Sequence, residues 1–466
     1  MLFLSIAVAS VSAAAAPATV DIATWPGHFG FHIDHVLRET IGQAREAEPV
    51  ELTLSVPGGE DKPWEETIRV VRIESGTKGI VVPHQVSGKT LAAAQTSDKS
   101  ETSAPAQSVN VLFLATCPAR TSVTYAIFWG YPKNDTSPDA LPRATDETGL
   151  KCTGAAPGLS IENEYYQIAL DPKSGAIRNA RLAGRDAAEN LFYGSLPIHF
   201  GVDVWSPPQG WDHDYDWAAP PNQSLESGPL MARYHRWGAL QHYRDVQVSI
   251  TYTFYAHVPY VHVSSTMEFS ENRSVRAVRM GEIVVAHSHK GGPNEKDKDG
   301  KSPDLLSHYA WPNPDGSTQV LEVDAHRDET GAEKLPDTVS GAIAVLDRDV
   351  AWVAGYNTAK RFGIATLRGA QFAGNRLGGA TPQSAPCTYV SNYGWGFTYW
   401  SRPMVYPPGE KGTPEDQNTA VAAGTLFGID EALLFFEPDD ELQSVRSVQQ
   451  RFVRPLHHSF RGTGPW

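Results

Sequence analysis

Apolar and polar residues alternate with a period near two along most of this chain. The pattern is clear in VELTLSV (50–56), TIRVVRI (67–73), GIVVPHQV (79–86), SVNVLFLAT (108–116) and SVTYAIFWG (122–130), all rich in β-branched or aromatic residues. Such runs predict half-buried strands. Between them, LAAAQTSDKSETSAPAQ (91–107) is small, polar and Pro-containing, and predicts an exposed loop. The strands define a small β domain over residues 17–132, and the Pro, Asp, Thr and Gly content of 133–158 predicts a linker.

The pattern resumes at LSIENEYYQIALDP (159–172), where a DPKSG turn leads into a second strand and predicts a hairpin. Longer runs follow in GPLMARYHRWG (228–238), DVQVSITYTFYA (245–256), YVHVSSTMEFS (260–270) and VRAVRMGEIVVAHS (275–288). Five more, GAIAVLD, AWVAGYN, RFGIATL, AAGTLFGI and ALLFFEP, extend to residue 438, and the hydrophilic 289–304 predicts a solvated connection. Only 439–456 has a helical period, so a large β domain spans 159–456 and residues 457–466 form a tail. The predicted class is all-β.

Composition sharpens this picture in two places. The 466 residues include 12 Trp, 17 Tyr and 17 Phe, with 40 Gly and 34 Pro for turns, which suits β architecture with aromatic binding surfaces. The net charge of -14, with no Lys/Arg run, excludes a nucleic-acid partner. Cys117, Cys152 and Cys387 have no metal-ligand spacing; a Cys117–Cys152 bridge is one reading and isolated thiols the other. Residues 1–16, apolar and ending in small residues, read as a secretory signal peptide, which places the protein outside the cytoplasm, secreted or periplasmic. No later run is long and apolar enough to span a membrane as a helix.

The pair SIENEYYQIALDPKSGAIRNARLAG, then GPLMARYHRWG, then ITYTFYAHVPYVHVSSTMEF resembles the galactose-mutarotase-like β-supersandwich of aldose epimerases and polysaccharide lyases. The preceding VTYAIFWGYP and its linker are similar to the N-terminal β-barrel or sandwich domain of YetA-like and exo-rhamnogalacturonan-lyase-like proteins. The resemblance covers nearly all of the chain after residue 16, without a counterpart of the C-terminal α/α-toroid of those lyases. It implies a carbohydrate ligand.

Five groups of residues carry candidate chemistry. GWDHDYDW (210–217) places Asp212, His213, Asp214, Tyr215 and Asp216 between Trp211 and Trp217, with His213 as a base, Tyr215 as an acid and the aspartates as orienters. A divalent cation such as calcium on the aspartate oxygens is the alternative, although the glycine and distal glutamate of an EF-hand loop are missing; no cofactor is otherwise expected. In ARYHRW (232–237), alternation puts Arg233, His235 and Trp237 on one strand face and Tyr234 and Arg236 on the other. Either arginine would clamp a sugar carboxylate.

Glu282 lies in an otherwise apolar run and shares strand parity with Met280, as a structural carboxylate or a site acid; His287 and His289 beyond it read as exposed. SNYGWGFTYWSRP (391–403) offers Tyr393, Trp395, Tyr399, Trp400 and Arg402 as a sugar-stacking loop, against the alternative of an aromatic minicore. His32, Asp34, His35 and Arg38, in the small N-terminal domain, read as supporting the domain interface rather than chemistry. Together these predict a lyase that cleaves an acidic polysaccharide by β-elimination, with His213 or His235 as base, Tyr215 or Tyr234 as acid and Arg233 or Arg236 as clamp. A glycoside hydrolase using Asp212, Asp214, Asp216 or Glu282, and a non-catalytic sugar-binding protein, are the alternatives.

Overall fold

The computed structural model describes residues 19–56, 64–91, 107–130, 149–185, 199–286, 306, 308–322, 342–346, 348–381, 388–393, 397–405 and 418–461. Every paired strand in it is antiparallel, as short period-two runs joined by turns require. The chain divides into two compact units, residues 1–147 with 456–466, and residues 148–455. The segment read as a signal peptide, most of the 91–107 loop, the 289–304 connection, His287, His289 and Cys387 lie outside the described residues. Among the described residues, no helix is long and apolar enough to cross a membrane.

The first unit holds a six-stranded sheet and a three-stranded sheet. The larger sheet is apolar on both faces. Val70 and Ile127 join Leu52, Val111 and Phe113 of the smaller sheet in one core, while Val71, Ala126 and Phe128 pack against Trp25 and Phe29 in another. HIDHVLR folds within the strand Phe31–Arg38, where His35 is fully buried and its pKa is lowered to about 4 by that burial. Residues 457–461, expected in a tail, instead form the strand His457–Arg461, which pairs with Phe31–Arg38 and packs Phe460 against His35. Its five residues are too few for a periodic signal. Cys117 and Cys152 are free, so the bridge considered above is absent; the Cys117 thiol is buried near the Leu37 carbonyl.

The second unit is built on a nine-stranded and a six-stranded sheet. The helix Gln443–Val453, within the predicted stretch, seats Val445 and Val448 on Trp352, Leu367 and Leu434 of the nine-stranded sheet. Part of the expected linker is structured: Lys151–Ala155 and Gly158–Glu162 pair as a hairpin, and Leu159 and Ile161 are buried. The Gly and Pro content there marks the hairpin turn.

In the six-stranded sheet, Trp211–His213, His199–Trp205, Ala277–Ala286 and Phe397–Val405 are consecutive neighbours. This arrangement positions the candidate site.

Candidate functional site

Across the first three of these strands, His213 lies opposite Asp203, Trp211 opposite Trp205, and Asp203 opposite Arg279. Residues directly opposed on neighbouring strands share a sheet face. Strict alternation would send Glu282 to the other side. However, Met280 pairs with Val202 and Glu282 with Gly201, so Gly281 is an inserted residue with φ of 57°. This is a β-bulge. Only glycine fits there, because an added Cβ would collide with the Glu431 carboxylate and the positive φ is strained for other residues. The extra residue returns Glu282 to the face of Arg279, whose guanidinium reaches it at 3.1 Å. The expected shared parity of Glu282 with Met280 is thereby corrected.

Asp203 is fully buried and takes Arg279 Nε at 3.0 Å on each carboxylate oxygen, with a further ion pair to Nη2. Burial pushes its pKa up to about 7; Arg279 opposes the rise and Glu282 reinforces it. Above it sits His213, with a side chain only 16% exposed. One ring nitrogen, Nδ1, lies 2.9 Å from Asp216 and the other, Nε2, lies 3.7 Å from Asp203. Burial alone would lower the imidazole pKa. The hydrogen bond to Asp216 and the charges of Asp203 and Glu282 outweigh it, so the pKa is raised. The Tyr215 ring lies 4.5 Å from that of His213, and burial, followed by the charge of Glu282, raises the phenol far above its ordinary value. Trp211 flanks His213 at 6.3 Å, carries Arg279 on its face at 4.0 Å and stands 5.4 Å from Trp205.

Asp203, His213 and Glu282 each offer one ligand atom, all within 4.8 Å of one another. The Asp216–His213 contact is the outer-shell orientation common among metal-binding histidines. Arg279 already supplies the positive charge that both carboxylates face. A calcium site on the 212–216 aspartates does not assemble, because these side chains diverge.

The short strand Trp211–His213 followed by a 3-10 turn over Asp214–Asp216 explains that divergence. Trp211, His213 and Tyr215 are partly exposed, whereas Asp212 and Asp214 are buried. Asp212 accepts the His242 and Tyr243 backbone N–H groups at 2.6 and 3.2 Å. Asp214 accepts Val202 N–H at 2.8 Å and pairs with Arg236, which also donates to the Tyr252 hydroxyl at 3.0 Å. Both aspartates are structural, and Asp216 is the residue that orients His213. Trp217, expected to bind substrate, is buried, and its indole N–H donates to the Ala239 carbonyl at 2.9 Å.

The strand Met231–Ala239 alternates as expected, but its two faces do not serve the site. Tyr234 and Arg236 are buried, and Tyr234 donates to the Gln223 side chain at 2.8 Å. Arg233 pairs with Glu226 at 3.4 Å, His235 bonds Ser249 at 2.8 Å, and Trp237 stacks on His235 at 4.3 Å. Since Arg236 meets Asp214, the 211–217 segment borders the Arg236 face and not the face of Arg233 and His235. Neither arginine is placed to clamp a ligand beside His213.

SNYGWGFTYWSRP is not a loop throughout: Tyr393 ends the strand Thr388–Tyr393, and Tyr399 and Trp400 lie on Phe397–Val405. Trp395 lies outside the described residues. Arg402, expected to bind substrate, is buried and pairs with Asp349 at 2.6 Å and Glu431 at 2.9 Å. The sequence reading missed Asp203, Trp205 and Arg279. For Asp203 the signal was present, since a carboxylate within HFGVDVW is as anomalous as Glu282 in its own strand.

No protein-family model matches the sequence, and no curated protein does either. Among solved structures, the chain is similar to an alpha-mannosidase from Enterococcus faecalis V583, with a TM-score of 0.50 and 11% identity over 93% of this chain and 46% of that one. A glycosyl hydrolase family 38 protein from Enterococcus faecalis gives a TM-score of 0.48 and 10% identity, over 93% of this chain and 48% of that one. A putative aldose 1-epimerase from Escherichia coli K12 gives 0.32 and 11%, over 62% of this chain and 100% of that one. The chain spans about half the length of the two glycosidase chains. At these identities the likeness concerns the β fold.

Proposed function

We propose that this protein is a carbohydrate-active enzyme that cleaves a glycan by β-elimination, with His213 as base and Tyr215 as acid. The observation that carries this reading is their pairing: two partly exposed proton-handling groups, ring centroids 4.5 Å apart, beside the partly exposed Trp211 and Trp205. Indole faces suit the C–H faces of sugar rings. Of the carboxylates proposed for a hydrolase, Asp212 and Asp214 are buried and bonded elsewhere, Glu282 lies beneath His213 in an ion pair with Arg279, and the exposed Asp216 is bonded to His213. The similarity to sugar-processing folds supports a saccharide as the ligand.

In this reading neutral His213 removes the proton next to a uronate carboxyl group, the C–O bond to the leaving sugar breaks, and Tyr215 protonates the departing oxygen. Its raised pKa keeps Tyr215 protonated throughout the working range. His213 must first lose its own proton, so the rate rises with pH through a pKa above the ordinary imidazole value. Incubation with a panel of uronate polysaccharides is expected to generate the ultraviolet absorbance of an unsaturated product, with a rising alkaline limb. His213→Gln is expected to reduce that signal by about 10²–10⁴-fold. New reducing ends without the absorbance, or activity that falls as pH rises, would instead identify hydrolysis with His213 as proton donor. Binding without turnover would leave a sugar-binding protein.

A further inference from the structure

The sheet face that holds His213 also carries a cation with no part in the proton transfers. Arg276 directly precedes the strand Ala277–Ala286, and its backbone N–H donates to the Trp205 carbonyl at 2.7 Å. Its guanidinium lies over the Trp205 ring, 5.2 Å from the centroid. Trp205 leads to Trp211 and Trp211 to His213, so the four side chains form one row. Arg276, Trp205, Trp211 and His213 are all partly exposed.

The neighbouring arginines are committed, Arg279 to Asp203 and Glu282, and Arg273 to Asp245. Arg276 differs. Among the described residues no carboxylate lies within ion-pair distance of it, and its Nε is buried without a hydrogen-bond partner. A buried donor without an acceptor is costly, so the site favours an incoming oxygen. A guanidinium fork matches the two oxygens of a carboxylate better than a hydroxyl does, because the bonds are charge-assisted and paired.

We infer that Arg276 and Trp205 form a subsite for a sugar ring bearing a carboxylate, adjoining the ring held at Trp211 and His213. This rests on the saccharide reading of the site, though not on the bond-breaking step. Arg276, held over the Trp205 indole, grips the carboxylate, so acidic glycans are selected over neutral ones.

Calorimetric titration tests this in the His213→Gln background, where turnover does not consume the ligand. The ligands are trisaccharides of galacturonate, mannuronate and glucuronate, their carboxyl-reduced counterparts, and a sulfated neutral trisaccharide. At least one uronate is expected to bind about tenfold or more tightly than its reduced counterpart. Arg276→Gln is expected to abolish that preference while leaving the melting temperature and the reduced ligand unaffected, and Arg276→Lys to restore part of it. Absence of any preference, or its survival in Arg276→Gln, would overturn the assignment. Equal binding of the sulfated ligand would overturn the carboxylate specificity. If Arg276-dependent selection persists in a protein whose parent yields no unsaturated product, the elimination chemistry fails and the subsite stands.

Discussion

Two clusters of carboxylates and guanidiniums flank the bulge at Gly281, and only one has the features of a site. On one side, Glu431 meets Arg402 at 2.9 Å and Arg368 at 3.9 Å, and Asp349 meets both arginines, at 2.6 and 2.7 Å. On the other, Asp203 and Glu282 share Arg279, and His213 and Tyr215 lie above them. Both clusters contain a carboxyl group that burial pushes up to about 7, Glu431 in the first and Asp203 in the second. A perturbed pKa therefore does not separate site from scaffold here. Charge balance and access do. Two arginines match two acids in the first cluster, and Glu431, Arg368 and Arg402 are buried. In the second, two acids face one arginine, which leaves a partly exposed imidazole as the balancing proton acceptor.

The contrast is sharpest in the variants that break each cluster. Glu431→Ala leaves Arg368 and Arg402 buried with one carboxylate fewer, and is expected to cost about 3–5 kcal/mol in chemical denaturation. His213→Gln, by comparison, is expected to lower turnover with little change in stability. Should the two variants destabilise equally, His213 would belong to the scaffold. Gly281→Ala touches both clusters at once. Strain at positive φ amounts to about 1–2 kcal/mol, and the new Cβ meets the Glu431 carboxylate. Stability is expected to fall by about 2 kcal/mol or more, with activity falling beyond what the folded fraction explains, because Glu282 loses its face.

The smallest effect concerns pH. Asp216→Asn removes a charge that raises His213 and weakens the hydrogen bond that does the same, since the amide oxygen is a neutral acceptor. The rising limb of the rate profile is expected to move to lower pH by about one unit, equivalent to ~1.4 kcal/mol. A limb that stays in place would assign it to another group.

Much of the architecture was legible in the amino-acid order. Period-two runs located most strands of both units, and the helical period at 439–456 contains the one α-helix among the described residues. GWDHDYDW stood out as a cluster, but its residues were read as one group, whereas His213 and Tyr215 are partly exposed and Asp212 and Asp214 are buried. The reading failed where a contact distant in the chain decided a role. Arg236 and Arg402 are typical ligand-gripping residues by type, yet each is consumed by an acid far along the chain, Asp214 and Glu431. Glu282 was placed on the wrong face because period-two counting does not anticipate an inserted residue.

By itself, the sequence determined the element type, since side-chain alternation is local, and it determined which short stretches were too polar to be ordinary core. Only the tertiary structure decided which of those polar groups are spent on one another and which remain for a ligand. Ion pairing depends on strands that meet after long separations and on bulges such as the one at Gly281, which set their register, and local alternation reports neither.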